Sequence, residues 1–205
     1  MRMDLTKARY DTYDELYDYC YKVAGTVGLM TTPVMGVDPL YTGPPDAVLR
    51  AALALGTANQ LTNILRDVGE DAAQRNRVYV PLEDLATFGI GEAEVARGTL
   101  VSASTGAVDP RWADFMRFQI ARARACFADA EAGVGALAPD ARWPVWSALI
   151  LYRQMLDAIE KNGYDNFTRR AYVPKWRKYA SLPAAALAAA RPAGMVGKEV
   201  AVAKR

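Results

Sequence analysis

Residues 52–85 read ALALGTANQLTNILRDVGEDAAQRNRVYVPLEDL. Leu61, Ile64, Leu65 and Val68 recur at helical spacing, and with Asp46 upstream as a cap they predict one long helix from residue 46 to about residue 73. Counted at about 100° per residue from Gln60, the side chains of Asn63, Asp67 and Asp71 fall at roughly 300°, 340° and 20°. Four oxygen-bearing side chains therefore share one narrow strip beside the apolar stripe, with Arg66, Glu70 and Thr62 on the far side. Neighbours at this spacing lie about 5–6 Å apart at Cβ, close enough to hold magnesium ions bridged by phosphate oxygens. Spacing alone leaves two readings open: a metal-binding strip, or the ordinary exposed half of an amphipathic helix.

A second pair of aspartates, Asp14 and Asp18, lies in YDELYDYCYKVAG, residues 13–25. The pattern predicts a helix over 12–30, opened by a capping box from Thr12 to Glu15 and stopped by Pro33. With Tyr19 at zero, Leu16, Cys20, Val23, Ala24, Val27 and Met30 fill a sector of about 160°. Asp14 and Asp18 fall near 220° and 260°, away from that stripe. Asp18 also precedes Lys22 by four residues, the favourable order for a surface ion pair. This pair reads as a solvated helix face, whereas the second pair sits against apolar residues with an amide on each preceding turn.

The rest of the chain is consistent with an all-α domain. A turn-rich loop, TTPVMGVDPLYTGPPD, precedes the long helix, and short helices are expected in VYVPLEDLATFGI and GEAEVARG. Asp109 followed by Pro110 starts a helix over 110–132, and another spans 140–162 up to the NGYDN turn. From Pro183 the Ala-rich tail reads as a last helix fraying into disorder. Of the 205 residues, 52% are hydrophobic and 23% charged, which suits one globular domain. The net charge of +2 gives no electrostatic case for nucleic-acid binding. Two cysteines, Cys20 and Cys126, without a CxxC offer neither a disulfide framework nor a zinc site. The chain has no histidine, which excludes Ser-His-Asp and Cys-His catalysis and His-ligated metals. No apolar run approaches a transmembrane length, and MRMDLTKARY carries neither a secretory core nor a convincing transit peptide.

The quoted 52–85 stretch closely resembles the second aspartate-rich region of the phytoene synthase branch of the squalene/phytoene synthase family. MRMDL, YCYKVAGTVGLM and LYRQMLDAIEKNGYDNFTRRAYVPKWRK agree with it in the right order, so the resemblance covers residues 1–182 and leaves out the tail at 183–205. Its flavour is plant, algal or cyanobacterial. The resemblance implies an all-α prenyl-synthase bundle around a central cavity, whose mouth carries two facing aspartate-rich motifs. On the matching positions, Asn63, Asp67 and Asp71 would hold magnesium, or manganese in its place, with Gln60 lining the same site. Arg66 and Arg170 would contact diphosphate. Tyr19, Tyr152 and Tyr79 match aromatic positions near the reacting centre, and the small residues Ala24, Gly25 and Gly28 would leave room for an isoprenoid tail. The family's first motif lies upstream of MRMDL, so the resemblance implies that the N-terminal helices are missing, that this chain is the C-terminal part of an enzyme, and that alone it is inactive. DELYD imitates that motif at another place.

The activity so implied is 15-cis-phytoene synthesis in carotenoid biosynthesis. Two molecules of geranylgeranyl diphosphate condense head to head with release of diphosphate and without NADPH. Two alternatives stand beside it: a squalene or dehydrosqualene synthase acting on farnesyl diphosphate, and an inactive family member that serves as an assembly scaffold. The resemblance further implies peripheral membrane association and contact with other carotenoid or prenyl-diphosphate enzymes. It also implies a plastid location in a plant or alga, and a cytoplasmic, membrane-peripheral one in a bacterium.

Overall fold

The computed structural model describes residues 3–190, without the side chains of residues 4 and 5; the remainder of the tail, 191–205, lies outside the described residues. Among the described residues there is no strand, only three isolated bridges, and the elements are helices throughout. They run α1 (Met3–Thr6), α2 (Tyr13–Cys20), a π-helical segment (Tyr21–Gly25), α3 (Thr26–Met35), α4 (Pro45–Arg75), α5 (Leu82–Thr87) and α6 (Glu92–Arg97). Beyond these come α7 (Pro110–Val134), α8 (Pro139–Lys161), α9 (Lys175–Ala180) and α10 (Leu182–Ala189).

The long helix α4 has 31 residues, which at 1.5 Å per residue makes it about 46 Å long. It forms the centre of the bundle, packed along α7 and flanked by the π segment, α3 and α8. Leu61, Ile64, Leu65 and Val68 are buried, as are Trp112, Phe115, Met116, Ile120 and Phe127 of α7. Each such side chain contributes about 1.5–3 kcal/mol of transfer free energy. Asp46 does not cap α4. Pro44 holds the N-cap position and Pro45 the first helical one, with φ already set for the helix, so Asp46 falls in the first turn and acts through the helix dipole.

Being central, α4 has no ordinary exposed half. Thr62, expected on its far side, is fully buried and donates its hydroxyl to Ala58 O at 2.7 Å. Asp71 retains only 7% of its accessible surface. Of the strip itself, Asp71 is buried and Gln60, Asn63 and Asp67 are half-buried, so it is not a fully solvated face.

The helix expected over 12–30 is built differently. Thr12 does cap α2, accepting from Glu15 N at 3.3 Å, but the Glu15 carboxylate reaches back to Asp11 N rather than to Thr12. At Tyr21–Gly25 the helix widens to π geometry, which inserts one extra residue and rotates the succeeding residues back by about 100°. Met30, placed by uniform counting on the buried stripe, is accordingly 66% exposed, whereas Val27, 50% exposed, faces an open cleft between the helices. Pro33 does not stop the helix. It sits in the last turn of α3, which continues to Met35 and ends at Gly36, whose φ of +76° reverses the chain while its N–H caps Thr32 O. At the other end of the chain, the first part of the Ala-rich tail is helical, and Ala185 is fully buried.

Candidate active site

Between the π segment, α3, α4, α7 and α8 lies an open apolar cleft of about 330 Å³. Its walls include Ala24 and Gly28 on one side, Gly56, Gln60 and Asn63 of α4 on another, and Tyr152 of α8. Glycines let the walls meet. A Cβ on Gly28 would stand 2.5 Å from Ala52 O, and one on Gly56 would stand 2.5 Å from Ala24 O, so the two helices touch backbone to backbone here. The small residues at 24–28 thus serve the helix contact as well as the cleft; the space beside Gly25 is taken by the Leu53 side chain.

Following α4 out of the cleft, Asn63, Asp67 and Asp71 succeed one another turn by turn. Arg66 grips Asp67 in bidentate fashion, with Nε at 2.8 Å from Oδ1 and Nη2 at 2.5 Å from Oδ2. Arg170 arrives from the segment after α8 and places its Nε 2.8 Å from Asp67 Oδ1. Arg75 donates to Asp71 Oδ1 at 2.6 Å. Burial pushes the Asp67 carboxyl up, but the hydrogen bonds and charges of Arg66 and Arg170 outweigh it and hold the group below the usual carboxylate range. Asp71 goes the other way: burial, with the neighbouring charges of Asp67 and Glu70, raises it against the single pull of Arg75. Equivalent in the sequence, the two aspartates are electrostatically opposite.

Asp71 is a buried carboxylate whose ion pair with Arg75 does not offset its burial, and it lies one turn from a second carboxylate and two turns from an amide. These are hard oxygen donors of the kind magnesium and manganese take. Among the described residues no group of three acidic or cysteine side chains is placed to hold a metal, so phosphate oxygens of a ligand would complete the coordination. The residues fit such an ion.

The other expected site residues divide. Gln60, Asn63, Ala24, Gly28 and Tyr152 line the cleft, while Asp67, Asp71, Arg66 and Arg170 cluster farther along α4. Tyr19 and Tyr79 are buried instead in a cluster with Tyr10, their ring centroids 5.3 Å apart, and Tyr79 accepts from Arg77 at 2.8 Å. Asp14 and Asp18 are exposed, and Asp18 pairs with Lys22 at 2.6 Å. Sequence reasoning missed three participants. Arg75 follows Asp71 by four residues, a legible ion-pair spacing. Asn59 extends the polar row one turn inward, and its buried Oδ1 has no hydrogen-bond partner. Tyr10 carries no local signal of its burial.

An all-α bundle packed around one central helix beside an apolar cleft is the helical fold of the isoprenoid synthases. The squalene/phytoene synthase family model matches residues 1–177, and the chain belongs to that family. It is 58% identical over 187 residues to maize "Phytoene synthase 3, chloroplastic", covering 91% of this chain and 42% of that protein. It is 55% identical over 195 residues to the 15-cis-phytoene synthase of Synechococcus elongatus, covering 92% of this chain and 60% of that protein. Among solved structures, a ligand-bound dehydrosqualene synthase superposes with a TM-score of 0.75 at 30% identity, covering 91% of this chain and 60% of its own. The squalene synthase HpnC of Alicyclobacillus acidocaldarius gives a TM-score of 0.67 at 26% identity, over 80% of this chain and 57% of its own. The chain thus spans about half the length of the curated relatives it matches.

Proposed function

We propose that this chain serves the synthesis of 15-cis-phytoene from two molecules of geranylgeranyl diphosphate. The observation that carries the reading is the Asp67 carboxylate, held by Arg66 and Arg170 on the same helix that lines the apolar cleft. Asn63, Asp67 and Asp71, with Gln60 beside them, would hold magnesium, which supplies Lewis acidity toward the departing diphosphate. Arg66 and Arg170 exchange their carboxylate partner for diphosphate oxygens and stabilise the charge that grows there as the C–O bond breaks. The apolar walls take the isoprenoid chain and keep water from the allylic cation until the second molecule's double bond attacks it. Ala24 and Gly28 leave width for that chain, and the Tyr152 ring offers its negative face to the cation. Loss of a proton closes the cyclopropyl diphosphate, which ionises again, rearranges and loses a second proton, giving one hydrocarbon and two diphosphates. No external reductant enters.

Peripheral membrane association is part of this reading, since the product is an oil. Tyr172, Trp176 and Tyr179 stand 73%, 69% and 68% exposed among Lys175, Arg177 and Lys178, and no acid occurs from residue 166 to 190. Such a face suits an anionic headgroup layer, and no described helix is long and apolar enough to cross a membrane. A plastid location in a plant or alga belongs to the same proposal.

The test is product analysis. The chain is fused behind the N-terminal portion of the Synechococcus relative and supplied with magnesium and either geranylgeranyl or farnesyl diphosphate. Phytoene from the longer substrate, lost on Asp67→Asn, is expected. A squalene-type product formed preferentially from the shorter substrate overturns the assignment, and full activity after Asp67→Asn revives the scaffold alternative.

A further inference from the structure

Arg170 is 56% exposed at its side chain and belongs to no helix, so something other than its own packing must bring it to Asp67. The turn that leads to it is tied at several points. Asn162 donates its amide to Asp165 O and Arg169 O, both at 2.7 Å, and Asp165 accepts from Thr168 N at 3.0 Å. These bonds shape the turn but do not attach it to α4.

Attachment comes from Asn166, which keeps 4% of its surface and donates Nδ2 to Leu65 O at 2.7 Å, across 101 residues of sequence. One turn along α4, Gly69 admits the turn's backbone, since a Cβ there would stand 2.3 Å from Asn166 O and 2.6 Å from Phe167 Cα. Leu65 and Gly69 bracket Asp67. The loop is therefore fastened to α4 at the level of the carboxylate that Arg170, four residues later, must reach.

We propose that Asn166 is a positioning residue: through its bond to Leu65 O, seated over Gly69, it holds Arg170 at the Asp67 row. The functional consequence rests on the reading that Arg170 serves diphosphate. A backbone carbonyl inside a helix already has its i+4 N–H, so Asn166 adds a second donor to Leu65 O, and losing it leaves no orphaned group on α4. The consequence of its loss falls on the loop.

The test uses the 205-residue chain with Asn166→Ala and, from the opposite side of the contact, Gly69→Ala, each checked for helical signal and cooperative melting. Nuclear magnetic resonance of the arginine Nε–H groups reads the geometry without any ligand. Arg170 is expected to be protected from exchange in the native chain and to lose protection in both variants, while Arg66 keeps it. Calorimetry with magnesium and inorganic diphosphate reads the consequence. Asn166→Ala should weaken binding about 10-fold, the scale of one charge-assisted hydrogen bond, but less than about 2-fold where Arg170 is already alanine. Asn166→Gln, which keeps a donor, should recover part of the loss. Retained Arg170 protection in Asn166→Ala, or an equal penalty in both backgrounds, overturns the proposal. If the native chain binds no diphosphate, the functional reading fails, while the Nε–H result still decides the positioning.

Discussion

Arg170 Nε lies 2.8 Å from Asp67 Oδ1, joining two residues 103 positions apart. With Arg66 on the same carboxylate, two guanidinium groups converge where a diphosphate is expected to arrive. Arg170→Ala should lower the affinity for magnesium diphosphate about 10-fold or more, from the loss of a charge-assisted contact. Arg170→Lys should recover only part of it, because an ammonium lacks the planar fork. Isothermal calorimetry on the three proteins measures this; equal affinities would remove Arg170 from the site.

Asp67 and Asp71 should respond in opposite directions to loss of charge. The Asp67 carboxyl is held low in the folded chain, so it stabilises the fold above its unfolded value, and that contribution is lost as pH falls through the folded one. Asp71 is held high, so its contribution is present in acid and is lost as pH rises through its folded value, leaving a net cost at neutral pH. Asp67→Asn should therefore destabilise the metal-free chain at pH 7 by about 1 kcal/mol, roughly 2–4 °C in Tm, while Asp71→Asn leaves Tm unchanged or raises it. Below the Asp71 titration the second difference should vanish. Thermal melts across pH check both signs.

That opposition could not be read from NILRDVGED, where the two aspartates look alike. The long helices were legible because they repeat apolar residues at a helical period over several turns, and α4 shows this most clearly. The π segment was not: its extra residue leaves no compositional mark in YKVAG, yet it rotates Met30 off the buried stripe. Burial of Thr62 and Asp71 follows from the number of helices packed around α4, which is a property of the assembled fold rather than of any window of sequence. The spacing at Asn63, Asp67 and Asp71 puts the three on successive turns of α4, where they lie. Of the arginines at this row, Arg66 and Arg75 belong to α4 itself, and the ties that bring Arg170 there depend on contacts across about a hundred residues.

The backbone contact between the π segment and α4 should be intolerant of a single methyl group. Gly56→Ala would place a Cβ 2.5 Å from Ala24 O and 2.7 Å from Ala24 C, atoms that cannot swing aside. A loss of about 1–3 kcal/mol is expected, seen as a lowered midpoint in urea. Gly91→Ala, whose Cβ would meet only the flexible Glu94 side chain at 3.5 Å, is the control and should change stability far less.

Neither cysteine should behave as a nucleophile in the folded protein. Cys20 is fully buried, and burial first and the nearby Cys126 second push its thiol far up. Cys126 is pushed up to about 11, again by burial and then by the charge of Asp129, with Arg122 opposing. Both causes disfavour the thiolate, which is the reactive form. At pH 7.5 a thiol of that acidity is ionised to well under one part in a thousand, so an aromatic disulfide reagent should titrate neither cysteine over minutes. Guanidinium chloride should release both at once, because unfolding restores ordinary thiols of pKa about 8.5. Asp129→Asn should lower the Cys126 value and speed its native reaction without exposing Cys20. Fast native labelling of two thiols would contradict the burial of Cys20 and the half-burial of Cys126. The expected inertness accords with the proposed reaction, which needs no thiol nucleophile, in a chain that has no histidine to activate one.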